Sequence, residues 1–210
     1  MAGKAAAIFS EQIKLNSLGS KQHPIYLDIE KIVFAGIEIP LGQISDLKFG
    51  LTLMQFYRFS LGTQYALSVK SPDKEINLVL RNYLGLSNNY FDTLYYQILD
   101  TVWDQVADRL LTEKKQQLQS ESGLIINHCV FQKQGITIYR RNLFSAQKEI
   151  ITWEDLIYQK KHDRLSIYSK RNSQVWTNLF YTDTWNVEFL MLILDWLYEQ
   201  NGLAELKNIS

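Results

Sequence analysis

The chain has 210 residues, of which 46% are hydrophobic and 13% aromatic. These fractions are ample for a packed core and exclude wholesale disorder, and the length fits one large domain or two small ones. The 22 basic and 22 acidic residues cancel, which argues against a protein that binds nucleic acid by neutralising phosphates.

The first half of the chain is rich in strand patterns. Residues 1–22 form a weakly patterned N-terminal segment, in which Ser10 is a candidate cap for a short helix. From Pro24 onward, Ile25 and Leu27 alternate with polar side chains, as in a strand with one apolar face. Further strands are predicted at residues 31–34, 43–49, 52–59, 65–70 and 75–81. Glycine predicts a turn at 61–63, and proline with aspartate predicts another at 71–74.

The strongest helical pattern covers residues 89–118. Apolar side chains from Phe91 to Leu111 recur at steps of three and four, which gives one continuous stripe at a period near 3.6. A polar stretch and the sequence Ser-Glu-Ser-Gly at 120–123 follow this stripe. We therefore predict a first unit at residues 23–119 and a second at 120–210.

The second unit repeats this organisation. Strands are predicted near residues 124–132, 135–141, 149–159, 164–170 and 175–181, and a C-terminal helix at 185–200. That helix is apolar nearly all round from Val187 to Tyr198, so it must be covered on more than one side, and the other unit is the obvious candidate. Short echoes recur in the same order in both units: Gly36-Ile37 and Gly135-Ile136, Asp46-Leu47 and Asp155-Leu156, then Ile98-Leu99-Asp100 and Ile193-Leu194-Asp195.

Two motifs of the second unit resemble a known family. Residues 149–156 (EIITWEDL) are similar to the I-x-W-x-(D/E)-(I/L) strand of bacterial pleckstrin-homology-like domains, and residues 135–138 (GITI) to their G-I-x-I strand. The resemblance implies an α+β fold of two tandem pleckstrin-homology-like units, each an antiparallel sheet or partly open barrel closed by a C-terminal helix. It also implies a binding module without catalytic residues, for phosphoinositide headgroups in some members and for peptides or other subunits in many.

A local surplus of basic residues lies between Lys133 and Arg171, a stretch that contains nine basic residues and four acidic ones. Six of the nine are expected at strand ends or in loops, where they could converge on an anionic headgroup or an acidic peptide. The alternative is that charged hairpin ends blunt sheet edges and keep the domain soluble. The candidate anion-binding residues are Arg140, Arg141, Lys160, Lys161, Lys170 and Arg171.

Aromatic side chains of the second unit exceed what one small core is expected to hold. Most should be buried, because large aromatics dominate core packing. Those that do not fit would mark an interface, where tryptophan carries disproportionate binding energy. The candidate interface residues are Trp176, Trp185, Phe189 and Trp196.

No pattern in the sequence indicates a reaction, a metal or a cofactor. The three histidines are scattered, and the adjacent His128 and Cys129 would point to opposite faces of a strand. Cys129 lacks a motif that would supply a base, so a buried structural cysteine is the favoured interpretation. The glycines are isolated and form no phosphate-binding loop.

The leading hypothesis is therefore a non-catalytic binding or scaffold module that acts through protein–protein contacts, with a protein partner or a second copy. One alternative is peripheral membrane or anionic-lipid binding through the basic loops of the second unit, and another is a small enzyme of unfamiliar type. No apolar run approaches the ~20 residues that span a bilayer, and a single cysteine fits a reducing compartment. We thus expect a soluble, cytoplasmic protein without an integral membrane segment and without a nucleic-acid partner.

Overall fold

A computed structural model describes residues 9–19, 21–142 and 145–199, together with 202, 203 and 206. The chain divides into two compact units, Met1–Asp108 and Arg109–Ser210. This division falls inside the long helix, whereas the sequence pattern predicts a boundary at the end of that helix, between residues 119 and 120. None of the described helices combines the length and the apolar character needed to cross a bilayer.

The first unit contains two antiparallel sheets. The strands of the first sheet follow chain order: β1 (Phe9–Lys14), β2 (Gln22–Leu27), β3 (Lys31–Phe34) and β4 (Ile37–Pro40). The second sheet consists of β5 (Asp46–Phe56), β6 (Phe59–Lys70) and β7 (Glu75–Tyr83), and α1 (Asn88–Gln119) follows it. The short helix expected after Ser10 is replaced by β1, because this segment pairs with β2 from Phe9 opposite Leu27 onward.

The second unit also contains two antiparallel sheets. The first consists of β8 (Leu124–Ile126), β9 (Cys129–Gln132), β10 (Gly135–Asn142) and β11 (Ser145–Thr152). The second consists of β12 (Leu156–Lys160), β13 (Arg164–Ser169) and β14 (Trp176–Phe180), and α2 (Val187–Glu199) closes the unit. Seven strands are described where five were predicted, because two predicted strands contain turns, one of them at Asn127 with φ of 54°.

The repeat seen in the sequence has a structural counterpart. Each unit runs through a four-stranded sheet, then a three-stranded sheet, then a helical segment. In the first unit the helical segment is the part of α1 before Arg109, and in the second it is α2.

The predicted fold of two tandem pleckstrin-homology-like units, each one sheet or partly open barrel, is wrong. The described strands form four separate sheets, and no ladder among them closes a barrel. In the first unit the ladder stops at Pro40, which has no N–H to donate, and a 3-10 turn at Leu41–Gln43 redirects the chain. In the second unit a turn separates β11 from β12, and the N–H of Asp155 closes it on the carbonyl oxygen of Thr152 at 3.0 Å.

In the first unit, aromatic contacts attach α1 to the three-stranded sheet. The rings of Phe49 and Trp103 meet edge to face at 5.6 Å, and those of Tyr65 and Tyr95 lie 5.4 Å apart. The hydroxyl of Tyr65 also donates to Asp92 at 2.6 Å. The helix therefore buries its apolar stripe against β5 and β6, as its period predicts.

The core of the second unit combines apolar side chains from both of its sheets and from α2. Trp153, the tryptophan of the motif at residues 149–156, is buried in this core. Its Nε1–H donates to the carbonyl oxygens of Gln132 at 3.1 Å and Lys133 at 2.9 Å. These bonds satisfy the polar edge of the indole, which would otherwise be costly to bury.

Candidate functional site

The outer face of the sheet β12–β13–β14 carries a groove. Successive side chains of a strand point to opposite faces, so Leu165 and Ile167 of β13 enter the core. Arg164, Ser166 and Tyr168 consequently lie on the outer face. The same alternation places Trp176 of β14 on this outer face.

The strand register arranges the outer face in rows. Tyr168 lies opposite Ile157 on one side and Trp176 on the other, which makes an apolar row across three strands. The next row is polar, because Ser166 lies between Gln159 and Asn178, and its hydroxyl donates to Oδ1 of Asn178 at 2.7 Å. Beyond it the guanidinium of Arg164 lies 5.3 Å from the centre of the Phe180 ring.

A groove of about 480 Å³ lies over the apolar row and over Ser166 and Asn178 of the polar row, and it has a lysine at each end. Lys170 follows the last residue of β13 and donates to the carbonyl oxygen of Glu154 at 3.0 Å. The N–H of Lys161 bonds the carbonyl oxygen of Arg164 at the other end of the strand, 2.9 Å away. A strand of this length sets the two lysine positions roughly 17–20 Å apart. Trp176, with 50% of its surface exposed, forms part of the wall.

The turn between β13 and β14 is held by side-chain hydrogen bonds. The buried carboxylate of Asp155 accepts a hydrogen bond from the Ser169 hydroxyl and another from the N–H of Arg171 at 2.9 Å. The Ser169 oxygen in turn accepts the N–H of Asn172 at 3.1 Å. The backbone between Lys170 and Trp176 is therefore fixed from within the unit, so this end of the groove is formed before any ligand arrives.

The structure describes the side chains of four of the six predicted anion-binding residues, and these four do not share one site. Lys161 and Lys170 line the groove, whereas Lys160 makes a 2.5 Å ion pair with Asp195 of α2. The side chain of Arg171 is 80% exposed and lies 3.8 Å from Asp155. The side chains of Arg140 and Arg141 lie outside the described residues.

The four predicted interface residues differ in exposure. Trp176 is half exposed, Trp185 is partly buried, and Phe189 and Trp196 are buried. The ring of Trp196 lies 4.6 Å from the ammonium of Lys115, so it has partners within the second unit. Of the four, Trp176 has the most surface to offer a ligand.

The reactive groups of the second unit are poorly placed for chemistry. Burial raises the pKa of the Cys129 thiol to about 12, so the thiol stays protonated at neutral pH. Within the described part of the chain, no three histidine, cysteine or acidic side chains come close enough to hold a metal ion. What the groove offers is aromatic stacking, hydrogen bonding and positive charge.

Ile157, Ser166 and Asn178 complete the groove, and none of them was predicted as a site residue from the sequence. The alternation in 164–169 was a usable signal for the outer face of β13. Their meeting depends on the register between β12, β13 and β14, which periodicity does not give.

Comparisons with protein-family models, with curated proteins and with solved structures found no match. The resemblance to pleckstrin-homology-like domains therefore stays a prediction. The function of the chain has to be inferred from its own geometry.

Proposed function

We propose that this chain is a non-catalytic binding module whose second unit holds an extended acidic segment of a partner protein. The observation that carries the proposal is the half-exposed Trp176, which lies in a row with Tyr168 between two lysines. A large aromatic side chain gains much of its stabilisation from burial. One that stays half exposed in a preformed groove is the kind of anchor that dominates protein–protein binding.

The dimensions of the groove specify the occupant. An extended peptide rises about 3.3 Å per residue, so the distance between Lys161 and Lys170 corresponds to roughly five or six residues. We expect acidic side chains at that spacing and an apolar side chain between them, over the row of Ile157, Tyr168 and Trp176. The polar row beside it would bond the backbone or polar side chains of the peptide.

The charges of the second unit favour this groove over a lipid-binding set of basic loops. Lys160 is neutralised by Asp195 at 2.5 Å. Lys161 and Lys170, by contrast, have no carboxylate partner among the described residues. Two lysines without an ion pair among the described residues therefore lie at the ends of the groove.

The proposal is tested with a random peptide library displayed on phage, selected on the full chain and counter-selected on Trp176→Ala. The expected peptides carry two acidic residues about five positions apart with an apolar residue between them. Measured by fluorescence polarisation, Trp176→Ala should weaken their binding about tenfold or more. Replacing Lys161 and Lys170 by alanine should weaken binding and reduce its dependence on salt.

Tyr139→Ala is the matched control, because Tyr139 is a similarly exposed aromatic on β10, outside the groove. Lys21→Ala controls for the loss of an exposed positive charge in the first unit. Peptide binding that survives Trp176→Ala, or a selection that returns nothing above background, would sink the proposal.

A further inference from the structure

The first unit exposes an apolar surface at the end of its longest hairpin. It consists of seven large apolar side chains, each more than one third exposed, and we call it the apolar tip. Its members are Leu53, Phe56, Tyr57, Phe59, Leu61, Leu84 and Leu86.

The apolar tip is built on regular backbone structure. Strands β5 and β6 stay paired up to Phe56 opposite Phe59, which leaves only Tyr57 and Arg58 in the turn. Strand β7 ends at Tyr83, opposite Gly62, so the last residues of the hairpin extend beyond the third strand. The N–H of Leu84 bonds the carbonyl oxygen of Leu61 at 2.8 Å, which ties the turn after β7 to the hairpin.

The exposed area is large for a surface that contacts only water. Phe56 is 71% exposed, Tyr57 87% and Phe59 71%. With 150–250 Å² for each aromatic side chain, these three alone expose roughly 350–550 Å². That already equals the largest apolar patch of a typical monomer, before the four leucines are added, and patches of this size mark interaction sites.

Residues 53–62 and 84–86, which hold the apolar tip, contain one charged residue, the basic Arg58. No acidic residue occurs in residues 47–72 or 76–91, although the chain contains 22 of them. Of the basic residues in these two segments, Arg58 belongs to the tip, whereas Lys48 and Lys70 lie near the opposite end of the hairpin, where Lys70 pairs with Asp46 in the ladder. Arg58 lies at the apex, between Tyr57 and Phe59. The surface is complementary to one that is apolar within and negatively charged outside.

We propose that the apolar tip docks on a membrane surface that contains anionic lipids. Aromatic side chains favour the boundary between headgroups and acyl chains, and anionic headgroups attract basic residues held close to them. The hairpin ladder pairs most of the backbone up to the turn, which lowers the cost of entering this zone. Phe56, Tyr57 and Phe59 enter the interface, and Arg58 contacts lipid phosphate. This site is independent of the groove in the second unit.

Vesicle flotation of the full chain tests the proposal with two compositions, phosphatidylcholine alone and phosphatidylcholine with phosphatidylserine. The wild-type chain should bind the vesicles that contain phosphatidylserine. The double variant Phe56→Ser, Phe59→Ser should lose tenfold or more of the apparent affinity, since two exposed aromatics leave the interface. Arg58→Ala should lose about fivefold on the anionic vesicles.

The double variant Ile125→Ser, Ile150→Ser is the matched control. Both isoleucines are exposed strand residues of the second unit, at 63% and 60%, and their replacement should leave vesicle binding unchanged. Far-ultraviolet circular dichroism verifies that each variant is folded.

A second measurement does not depend on removing the aromatics. Cys129 is the single cysteine and is buried, so a polarity-sensitive thiol dye will label an introduced Tyr57→Cys selectively. Its emission should shift to shorter wavelength on vesicles with phosphatidylserine, while the same dye on Ile125→Cys should not shift.

Three results would overturn the assignment. The first is the absence of binding to either kind of vesicle, and the second is equal binding by wild type and by the Phe56→Ser, Phe59→Ser variant. The third is self-association without vesicles that this variant abolishes, which would assign the apolar tip to a second copy of the chain.

Discussion

Glu188 lies in the first turn of α2 and is partly buried. Burial raises the pKa of its carboxyl group from 4.5 to about 7, although the positive charge of Lys160 acts in the opposite direction. At a given pH the protonated form is therefore more populated in the folded chain than in the unfolded chain. Between the two pKa values the folded chain binds more protons than the unfolded chain, so the free energy of unfolding falls as the pH rises through this window.

Replacing Glu188 by glutamine should remove this fall in the free energy of unfolding with rising pH, because glutamine does not titrate. We expect Glu188→Gln to raise the free energy of unfolding by about 1–2 kcal/mol at about pH 8, allowing for partial exposure, and to change little near pH 5. Urea denaturation at both pH values measures the difference. Glu121→Gln, the same replacement at an exposed position of the second unit, serves as the control. An equal effect of Glu188→Gln at both pH values would contradict the assignment to titration.

At the scale of elements, the helices follow from the sequence more closely than the turns do. The helix predicted at 89–118 corresponds to α1 at Asn88–Gln119, because a long stripe of period 3.6 has few other interpretations. The turn of the longest hairpin was predicted wrongly at Leu61–Thr63. It lies at Tyr57 and Arg58, with φ of 58° at Tyr57. Aromatic residues favour strands, so nothing in the sequence Phe-Tyr-Arg-Phe indicates a turn. For this reason the apolar tip was not predicted from the sequence.

Gly62, which suggested that turn, has another role inside β6. Its φ is 133°, and a Cβ atom there would lie 1.7 Å from the carbonyl oxygen of Asn82. Because the obstacle is backbone, Gly62→Ala should lower the free energy of unfolding by about 2–4 kcal/mol. Gly42→Ala has open space around the added carbon and should stay within about 0.5 kcal/mol of wild type. Urea unfolding of both variants measures this, and similar values for the two would refute the role of Gly62.

At the scale of the whole molecule, the sequence echoes predicted a repeated order of sheets and helices but not how the strands join. Period-two patterns tell which face of a strand is apolar, whereas the ladder depends on register and on where pairing stops. Two predicted sheets therefore became four. The groove could not be predicted for the same reason. From the sequence, Lys161 and Lys170 were assigned to an anion site and Trp176 to an interface. The pairing of β12, β13 and β14 brings all three residues to one groove.

The position of the unit boundary can be tested with two fragments. Residues 109–119 belong to the second unit, and Leu118 is fully buried in its core cluster. A fragment of residues 109–210 should therefore be more stable than one of residues 120–210, by about 3 kcal/mol or more, since the shorter one loses a buried leucine. Urea unfolding followed by circular dichroism measures the difference. Leu118→Ala in the longer fragment should reproduce much of this loss of stability, and equal stability of the two fragments would favour a boundary at the end of α1.

The five tryptophans are unevenly placed with respect to water. Trp153 and Trp196 are buried, Trp103 and Trp185 are partly covered, and Trp176 alone among them is half exposed. Collisional quenching of indole emission requires access from solvent, so acrylamide should act mainly on Trp176. A ligand that fills the groove should protect this emission, and Trp176→Phe should remove most of the quenchable signal. The groove thus carries its own optical reporter, and occupancy can be followed in the unlabelled chain.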